Sequence, residues 1–288
     1  MKTPLWTLLL LLLLFSCRNP VQNPKVDFDQ VSYLPADREI LEEVFQYCSA
    51  DQDMSSSALM VKVGSFFLST PYVAHTLESE EEHLVINLRE MDCTTFAENC
   101  LALSRTIKSG SLTFERFASS LQAVRYRDGK IGAYPSRLHY FCDWIYNNEQ
   151  KRLIRDMSQE MAHAPIQKKI NFMSTHPDSY PQLKENPEFV KALATQEVEI
   201  SERKMFYIPE NRISDLEDQL MEGDIAGITT QIEGLAIQHV VILVRKEDRI
   251  HMLHASSAAE KVVVSDQTLE EYLLESKSAS GIMLARPL

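Results

Sequence analysis

Cys93 has the surroundings of a nucleophile. It follows Asp92, a good helix N-cap, and precedes Thr94 and Thr95. Apolar side chains then recur at steps of four, three and four residues, as on the buried face of a helix that begins at Cys93: Phe96, Cys100, Leu103 and Ile107. At the first position of a helix, unpaired backbone N–H groups and the helix dipole favour a thiolate, the form that attacks carbonyl groups. A buried structural role fits Cys100 better than it fits Cys93.

Two histidines in the C-terminal part of the chain could supply the base that a thiol nucleophile needs. His239 begins one apolar strand pattern, His254 ends the next, and a charged connection, 245–248, separates them. If that connection is a four-residue hairpin loop, Val244 pairs with Arg249 and the two histidines face each other, with Cβ atoms roughly 4.5–5.5 Å apart. A slip of one residue would place them on opposite faces. The spacing therefore predicts a Cys–His–His triad; two structural histidines at strand ends are the alternative.

The remaining pattern indicates an α+β fold, because helical segments come first and strands last. Helical spacing covers 36–50 and a second apolar segment covers 55–70, whereas 75–91 has the pattern of a loop with a short extended piece. Most of 112–195 is helical in pattern, with breaks at Asp128-Gly129 and near three prolines. Strand patterns follow over 206–208, 225–229, 236–244, 250–255, 261–264 and 282–285.

Several short motifs resemble, in content and order, those of the NlpC-type papain-like cysteine peptidases of peptidoglycan. They are Pro71-Tyr72, Asp92-Cys93-Thr94-Thr95-Phe96, Gly223-Asp224, Gln238-His239-Val240 and Leu253-His254-Ala255. The stretches TPYVAHTLE, DCTTFAE, SRLHYFCDW and LHASS are more closely similar to the N-acetylmuramoyl-L-alanine amidase-like branch of that group. The resemblance covers nearly the whole chain from about Tyr33 onward. One departure is His75, where the pattern has a small residue such as glycine; it lies outside the catalytic set but could alter the rim of the cleft.

The resemblance implies a papain-like fold and a role for each matching residue. N-terminal helices, including the nucleophile helix, would pack on a C-terminal antiparallel sheet or barrel, with a helical insertion over about 112–200 and a strand-rich part over about 205–288. Cys93 would be the nucleophile, His239 the general base and acid, and His254 the residue that orients His239. Tyr72 would line the cleft and help to bind the oxyanion, together with the backbone N–H of Cys93. The bond cut would join N-acetylmuramic acid to L-alanine in muropeptides, without a cofactor.

A positive, aromatic stretch suggests how substrate could be held. Residues 125–144 concentrate four basic side chains beside tyrosine, histidine and tryptophan in an otherwise acidic protein. Arginine binds carboxylates well, and wall stem peptides carry free carboxylates. An ordinary basic surface with its aromatic residues in the core is the alternative. The motif SRLHYF favours substrate contact and gives Arg137, His139 and Tyr140 as candidate binding residues.

The start of the chain predicts the cellular compartment. Lys2 precedes an apolar run from Leu5 to Phe15, which is too short to span a bilayer and is typical of a signal peptide. Ser16-Cys17 at its end resembles a lipobox, so residues 1–17 are interpreted as a lipoprotein signal with Cys17 as the lipidated residue. A plain secretory signal is the alternative. Residues 18–32 are then a tether and 33–288 a single catalytic domain, which we expect to be a monomer in the cell envelope, in the periplasm and on the outer membrane.

Charge and motif content exclude several other functions. The 288-residue chain has a net charge of -12, which argues against nucleic acid as a partner, and contact with a membrane is expected only through the lipid. It has no glycine-rich phosphate-binding loop. His251 and His254 have H-x-x-H spacing, but strand parity points them to opposite faces, so a metal site is not expected. Whether Cys48 and Cys142 form a disulfide stays open.

Two further functions remain as alternatives to the amidase. The same scaffold could carry a D-glutamyl–diamino acid endopeptidase. The chain could also be a non-catalytic lipoprotein that binds peptidoglycan, although an intact set of Cys93, His239 and His254 argues against this.

Overall fold

A computed structural model describes residues 23–288, which form helices packed on both faces of an antiparallel sheet. The predicted signal peptide, Cys17 and the first part of the tether lie outside the described residues. The helices are α1 (Pro35–Tyr47), α2 (Ser56–Phe66), α3 (Cys93–Lys108), α4 (Phe114–Arg125), α5 (Phe141–Gln150), α6 (Ser158–Ala162), α7 (Phe172–Thr175), α8 (Pro181–Lys184), α9 (Pro187–Glu202), α10 (Ile213–Leu216) and α11 (Leu269–Glu275). The strands are β1 (Val31–Ser32), β2 (Leu84–Val85), β3 (Ile154–Asp156), β4 (Ala164–Ile166), β5 (Met205–Pro209), β6 (Ile225–Thr230), β7 (Ile237–Lys246), β8 (Arg249–Ser256), β9 (Lys261–Thr268) and β10 (Ala279–Pro287).

The main sheet joins strands from both halves of the chain. Its order is β4-β5-β10-β6-β7-β8-β9, β3 also pairs with β10, and neighbouring strands are antiparallel. A separate parallel pair joins β1 to β2. This arrangement confirms the predicted α+β class, with the strand-rich part at the C-terminal end of the chain.

Alternating side chains of the central strand β7 enter two hydrophobic cores. Val240, Ile242 and Val244 belong to the larger core, which also contains the apolar faces of α2, α3, α4 and α5. Val241 and Leu243 point into the smaller core, beside α10 and α11. The two-residue periodicity of a strand therefore gives β7 a fully buried position between helical layers.

The structure corrects two predicted segments and adds one helix. The segment 112–200 is not a purely helical insertion, because β3 and β4 lie within it and join the main sheet. The sequence analysis does not predict helix α11, because this short helix follows strand β9 directly in the chain. Residues 23–32 are not a free tether: Val26 packs on the larger core, Phe28 contacts Phe114, and Val31 pairs with Leu84. In the described part of the chain, no helix is long and apolar enough to cross a membrane.

Candidate active site

Helix α3 begins at Cys93, as the sequence predicts. Asp92 is its N-cap: Oδ1 of Asp92 accepts a hydrogen bond from the backbone N–H of Thr95 at 2.8 Å, and Oγ1 of Thr95 accepts one from the backbone N–H of Asp92 at 2.9 Å. This reciprocal cap determines where the helix starts. The predicted stripe on α3 is buried, including Phe96 and Cys100. Cys93 is half-buried, at the position where unpaired backbone N–H groups of the helix are available.

The predicted register of the β7–β8 hairpin is wrong by two residues, but the predicted faces are right. The loop has two residues, Glu247 and Asp248, both with positive φ, and Lys246 pairs with Arg249. Two consecutive residues with positive φ are typical of a tight hairpin turn. Because the error is an even number of residues, His239 and His254 keep the same face of the sheet and become diagonal neighbours.

The two imidazoles are in direct contact. Nε2 of His239 lies 2.7 Å from Nδ1 of His254, and the rings meet edge to face. His239 follows an irregularity in the β6–β7 ladder, where Gln238 has no register partner between Ile237 and His239. The contact leaves Nδ1 of His239 as the ring nitrogen available to a second partner.

The start of α3 lies close to β7, near the residue that follows His239. The β7–β8 ladder reaches only as far as Ile242 paired with Leu253, so Val240 has no register partner on β8. The backbone N–H of Val240, the residue after His239, donates a hydrogen bond to the Cys93 thiol instead. The structure therefore brings Cys93 to the strand that carries His239.

All three groups are uncharged at neutral pH. Burial and then the Asp92 carboxylate raise the pKa of the Cys93 thiol to about 11, against the lowering effects of the Val240 N–H and the Thr94 side chain. Burial, followed by the nearby His254, lowers the pKa of His239 to about 3, and burial lowers the pKa of His254 to about 4. The thiolate expected from the helix start is therefore not the resting form, because desolvation raises the pKa of the thiol. The resting site therefore holds a thiol and two neutral imidazoles.

Two tyrosines lie near Cys93. The Tyr72 backbone pairs with the segment before α3, through a bridge to Met91. Burial and then the proximity of Cys93 and Asp92 raise the pKa of Tyr72. Tyr272, on α11, was not identified from the sequence; burial and then Cys93 raise its pKa. Its only sequence signal was the short amphipathic run LEEYLLE, which carries no motif.

A cavity of about 230 Å³ extends from the first turn of α3. Its lining on α3 consists of Thr94, Thr95 and Glu98, next to Asp92. The rest of the wall comes from three other segments: His75, Thr76, Leu77 and Glu78; Arg125, Tyr134, Arg137, Leu138 and His139; and Met173 and Tyr180. The cavity thus lies between the first turn of α3 and the positive, aromatic stretch of residues 125–144.

The arginines of that stretch are paired with carboxylates. Arg125 lies 2.6 Å from Glu98, and Arg127 lies 2.6 Å from Asp143. Arg137 donates to Glu78 at 2.9 Å and lies 3.8 Å from Glu82, a second carboxylate. These pairs compensate the positive charge that suggested an anionic substrate.

The three candidate binding residues lie in different surroundings. Arg137 and His139 line the cavity. Burial and the neighbouring Arg137 lower the pKa of His139 to about 3, and its Nε2 bonds to the Tyr134 carbonyl. Tyr140 does not line the cavity; its buried hydroxyl donates to Glu197 and accepts from the Met173 N–H. Tyr140 therefore holds α7 and α9 together behind the cavity wall.

The remaining sequence questions have structural answers within residues 23–288. Cys48, Cys100 and Cys142 are buried free thiols, so Cys48 and Cys142 form no disulfide. His251 bonds to the Ser265 carbonyl, away from the contact that His254 makes with His239. No group of three or more histidine, cysteine or carboxylate side chains in this range is arranged to hold a metal ion.

Known proteins similar to the chain share its fold and most of its length. Residues 62–282 match the family model AmiA-like, described as N-acetylmuramoyl-L-alanine amidase-like. A crystal structure described as an N-acetylmuramoyl-L-alanine amidase from Bacteroides uniformis is 38% identical, covers 81% of this chain and 98% of its own, and has a TM-score of 0.78. A crystal structure described as a putative xylanase from Bacteroides fragilis is 39% identical, covers 77% of this chain and 98% of its own, and has a TM-score of 0.75. A Legionella pneumophila protein at 19% identity shares the fold, with a TM-score of 0.64. No curated protein matches the chain significantly.

Proposed function

Because the chain belongs to the AmiA-like, N-acetylmuramoyl-L-alanine amidase-like family, we propose that it is a cysteine amidase. Cys93 is the nucleophile, His239 the general base and acid, and His254 the residue that orients His239. The observation that carries this proposal is the 2.7 Å contact between the two imidazoles, beside a thiol at a helix start that is bonded to the residue after His239. These contacts support a nucleophile–base–orienter arrangement, and we propose that it is the papain-like, NlpC-type one.

The reaction uses the tautomer that the histidine contact favours. Nδ1 of His239 must be unprotonated to take the thiol proton, so its Nε2 carries hydrogen and donates to Nδ1 of His254. As Sγ of Cys93 bonds to the amide carbon, the thiol proton moves to Nδ1 of His239. The C–N bond then breaks, and the departing amine takes that proton. Water, deprotonated by His239, attacks the thioester, releases the carboxylate and restores the thiol.

Hydrogen-bond donors near Cys93 can stabilise the oxyanion of the tetrahedral intermediate. The backbone N–H of Cys93 lies at the start of α3, where it has no partner within the helix. The Tyr72 hydroxyl stays protonated because its pKa is raised, so it can donate as well. Two donors directed at the developing charge are the usual minimum for amide hydrolysis.

The proposed substrate is a muropeptide, cut between N-acetylmuramic acid and L-alanine. The description of the family and that of the Bacteroides uniformis structure support this bond. The small cavity at the first turn of α3, which is lined by Asp92 and Thr94 but not by Cys93 itself, suits a released fragment better than an intact glycan strand. We propose further that Cys17 carries a lipid, that the protein is a monomer on the outer membrane facing the periplasm, and that it contacts the membrane through that lipid.

A digest of defined muropeptides tests the activity and the bond together. The wild type should release free N-acetylmuramic acid and an intact stem peptide, identified by mass spectrometry, whereas Cys93→Ala should release neither. A shortened stem with its sugar still attached would replace the proposal with the endopeptidase alternative. Activity that survives Cys93→Ala and is lost with a chelator would overturn the cysteine mechanism.

A further inference from the structure

The cavity next to the first turn of α3 has no unpaired positive charge in its lining. Its two arginines, Arg125 and Arg137, are more than nine-tenths buried, and each is paired with at least one carboxylate. His139 adds no positive charge, because burial and then the neighbouring Arg137 lower its pKa. A carboxylate on the ligand would therefore meet no unpaired cation, and the cavity favours an uncharged group over an anionic one.

Two residues that line this cavity, Glu98 and Arg125, form a buried ion pair. Both side chains are 2% exposed, and both line the cavity. Nε of Arg125 donates to Oε2 of Glu98 at 2.6 Å, and its Nη1 donates to the Val85 carbonyl at 2.6 Å. Among the described residues, neither Oε1 of Glu98 nor Nη2 of Arg125 has a hydrogen-bond partner. Both atoms keep some accessible surface, because neither belongs to the fully buried polar atoms that lack a partner. The pair therefore offers the cavity one acceptor and one donor.

Stability alone explains such a pair poorly. Desolvation of two charges offsets most of their attraction, and replacement of a buried ion pair by apolar residues of similar size is often neutral or stabilising. The position of Glu98 is also specific: it follows Thr94 and Thr95 by one helical turn, on the face of α3 that forms the cavity wall. We propose that Glu98 and Arg125 determine specificity by hydrogen bonding to an uncharged donor–acceptor group of the substrate. This inference rests on the proposed amidase function.

The complementary group could come from either part of a muropeptide. A secondary amide or a pair of hydroxyls presents a donor and an acceptor together; the sugar carries both groups, and the stem peptide carries amides. The two sources are separated by comparing N-acetylmuramoyl-L-alanyl-D-glutamate with its sugar-free counterpart, lactoyl-L-alanyl-D-glutamate.

The first test is Glu98→Gln, with Asp143→Asn as its matched control. Asp143 is also a buried carboxylate paired with an arginine of the same stretch, Arg127, but it does not line the cavity. Glu98→Gln should raise KM about tenfold to a hundredfold with kcat changed much less, as expected for loss of a hydrogen bond to a charged group. Asp143→Asn should lower the melting temperature and leave KM unchanged. Equal KM values for wild type and Glu98→Gln would overturn the proposal.

The second test separates recognition from folding. Glu98→Met combined with Arg125→Met should preserve the melting temperature while reproducing the rise in KM. A folded double variant with the KM of the wild type would show that the pair is structural. If the rise disappears with the sugar-free substrate, the pair contacts the sugar; if it persists, the pair contacts the peptide.

A failure of the proposed amidase function can be distinguished from a failure of this inference about Glu98. If the wild type cleaves neither substrate, binding is measured by calorimetry in Cys93→Ala, with and without Glu98→Gln. Weaker binding of the doubly substituted protein would still support the role of Glu98, and equal binding would refute it.

Discussion

Nε2 of His239 lies 2.7 Å from Nδ1 of His254, although the two residues are not register partners across their hairpin. The last pair of the β7–β8 ladder is Ile242 with Leu253, and the imidazoles meet diagonally beyond its end. His254 is a neutral partner in this contact, so an imidazolium formed on His239 would donate a hydrogen bond to Nδ1 of His254 but would gain no counter-charge. This explains how His239 can remain uncharged until the thiol proton is transferred.

The neutral histidine pair should make the fold sensitive to mild acid. The folded-state pKa values, about 3 for His239 and about 4 for His254, lie below the ordinary value of 6.5. Below pH 6.5 the unfolded chain therefore binds protons that the folded chain does not, and stability falls as the pH falls. Between pH 7 and pH 5 the loss should be on the order of 2 kcal/mol for each imidazole.

Urea unfolding at pH 7, 6 and 5 checks this prediction. The combined variant His239→Gln and His254→Gln cannot bind these protons, so its free energy of unfolding should fall less over the same interval. Parallel pH profiles for the two proteins would contradict the assignment of two neutral imidazoles.

Asp92 should slow the alkylation of Cys93. Its carboxylate is the second cause, after burial, of the raised thiol pKa. Asp92→Asn removes this charge and keeps a good N-cap, so α3 should stay stable while more thiolate forms. Iodoacetamide should modify Cys93 severalfold faster in this variant at pH 8, as followed by peptide mass spectrometry. The matched control is Glu90→Gln, a carboxylate in the same loop that is not among the main causes of the raised thiol pKa. A rate equal to that of the wild type would show that burial alone controls the thiol.

The sequence predicts the start of α3 and the shared face of the two histidines because their signals are local. Asp92 and the apolar steps that follow Cys93 lie within a few turns of one helix, and the structure starts α3 at that residue. The two histidines were assigned to one face by parity, which tolerates an error of two residues in loop length. The sequence does not predict the number of loop residues, because Glu247 and Asp248 both adopt a conformation that glycine and asparagine usually supply.

The cavity could not be predicted, because its charges are paired over long distances in the chain. Arg137 is compensated by Glu78 and Glu82, about sixty residues earlier in the chain. Counting basic residues between 125 and 144 gave no information about these partners. For the same reason the stretch was associated with an anionic substrate, whereas the structure shows a compensated wall.

The segment 23–32 should stabilise the catalytic domain. Asn23 donates to Ser120, Ser119 donates to the Pro24 carbonyl, and the Ile86 N–H donates to the Ser32 carbonyl. Val26 is half-buried on the larger core and Phe28 is 42% exposed, so each contributes less than the roughly 1.5–3 kcal/mol of a fully buried side chain. A protein that starts at residue 23 should unfold at the same urea concentration as one that keeps residues 18–22. A protein that starts at residue 33 loses this partial burial and the three hydrogen bonds, which should cost about 2 kcal/mol. Equal midpoints for the variants starting at 23 and 33 would show that the segment is only a connector.

His75 holds a strained backbone conformation at the rim of the cavity. Its φ is +63°, in the left-handed region where a side chain costs about 1–2 kcal/mol relative to glycine. In the opposite direction, glycine lowers the free energy of unfolding by roughly 0.5–1 kcal/mol, because its backbone has more freedom in the unfolded chain. His75→Gly should therefore raise the free energy of unfolding by about 0.5–1 kcal/mol, since the exposed imidazole loses little packing. Ala74→Gly is the matched control: Ala74 is exposed and lacks a positive φ, so that substitution should destabilise. If both glycine variants lose stability, His75 makes contacts that outweigh its backbone strain, and KM measured on a muropeptide would show whether they extend to the substrate.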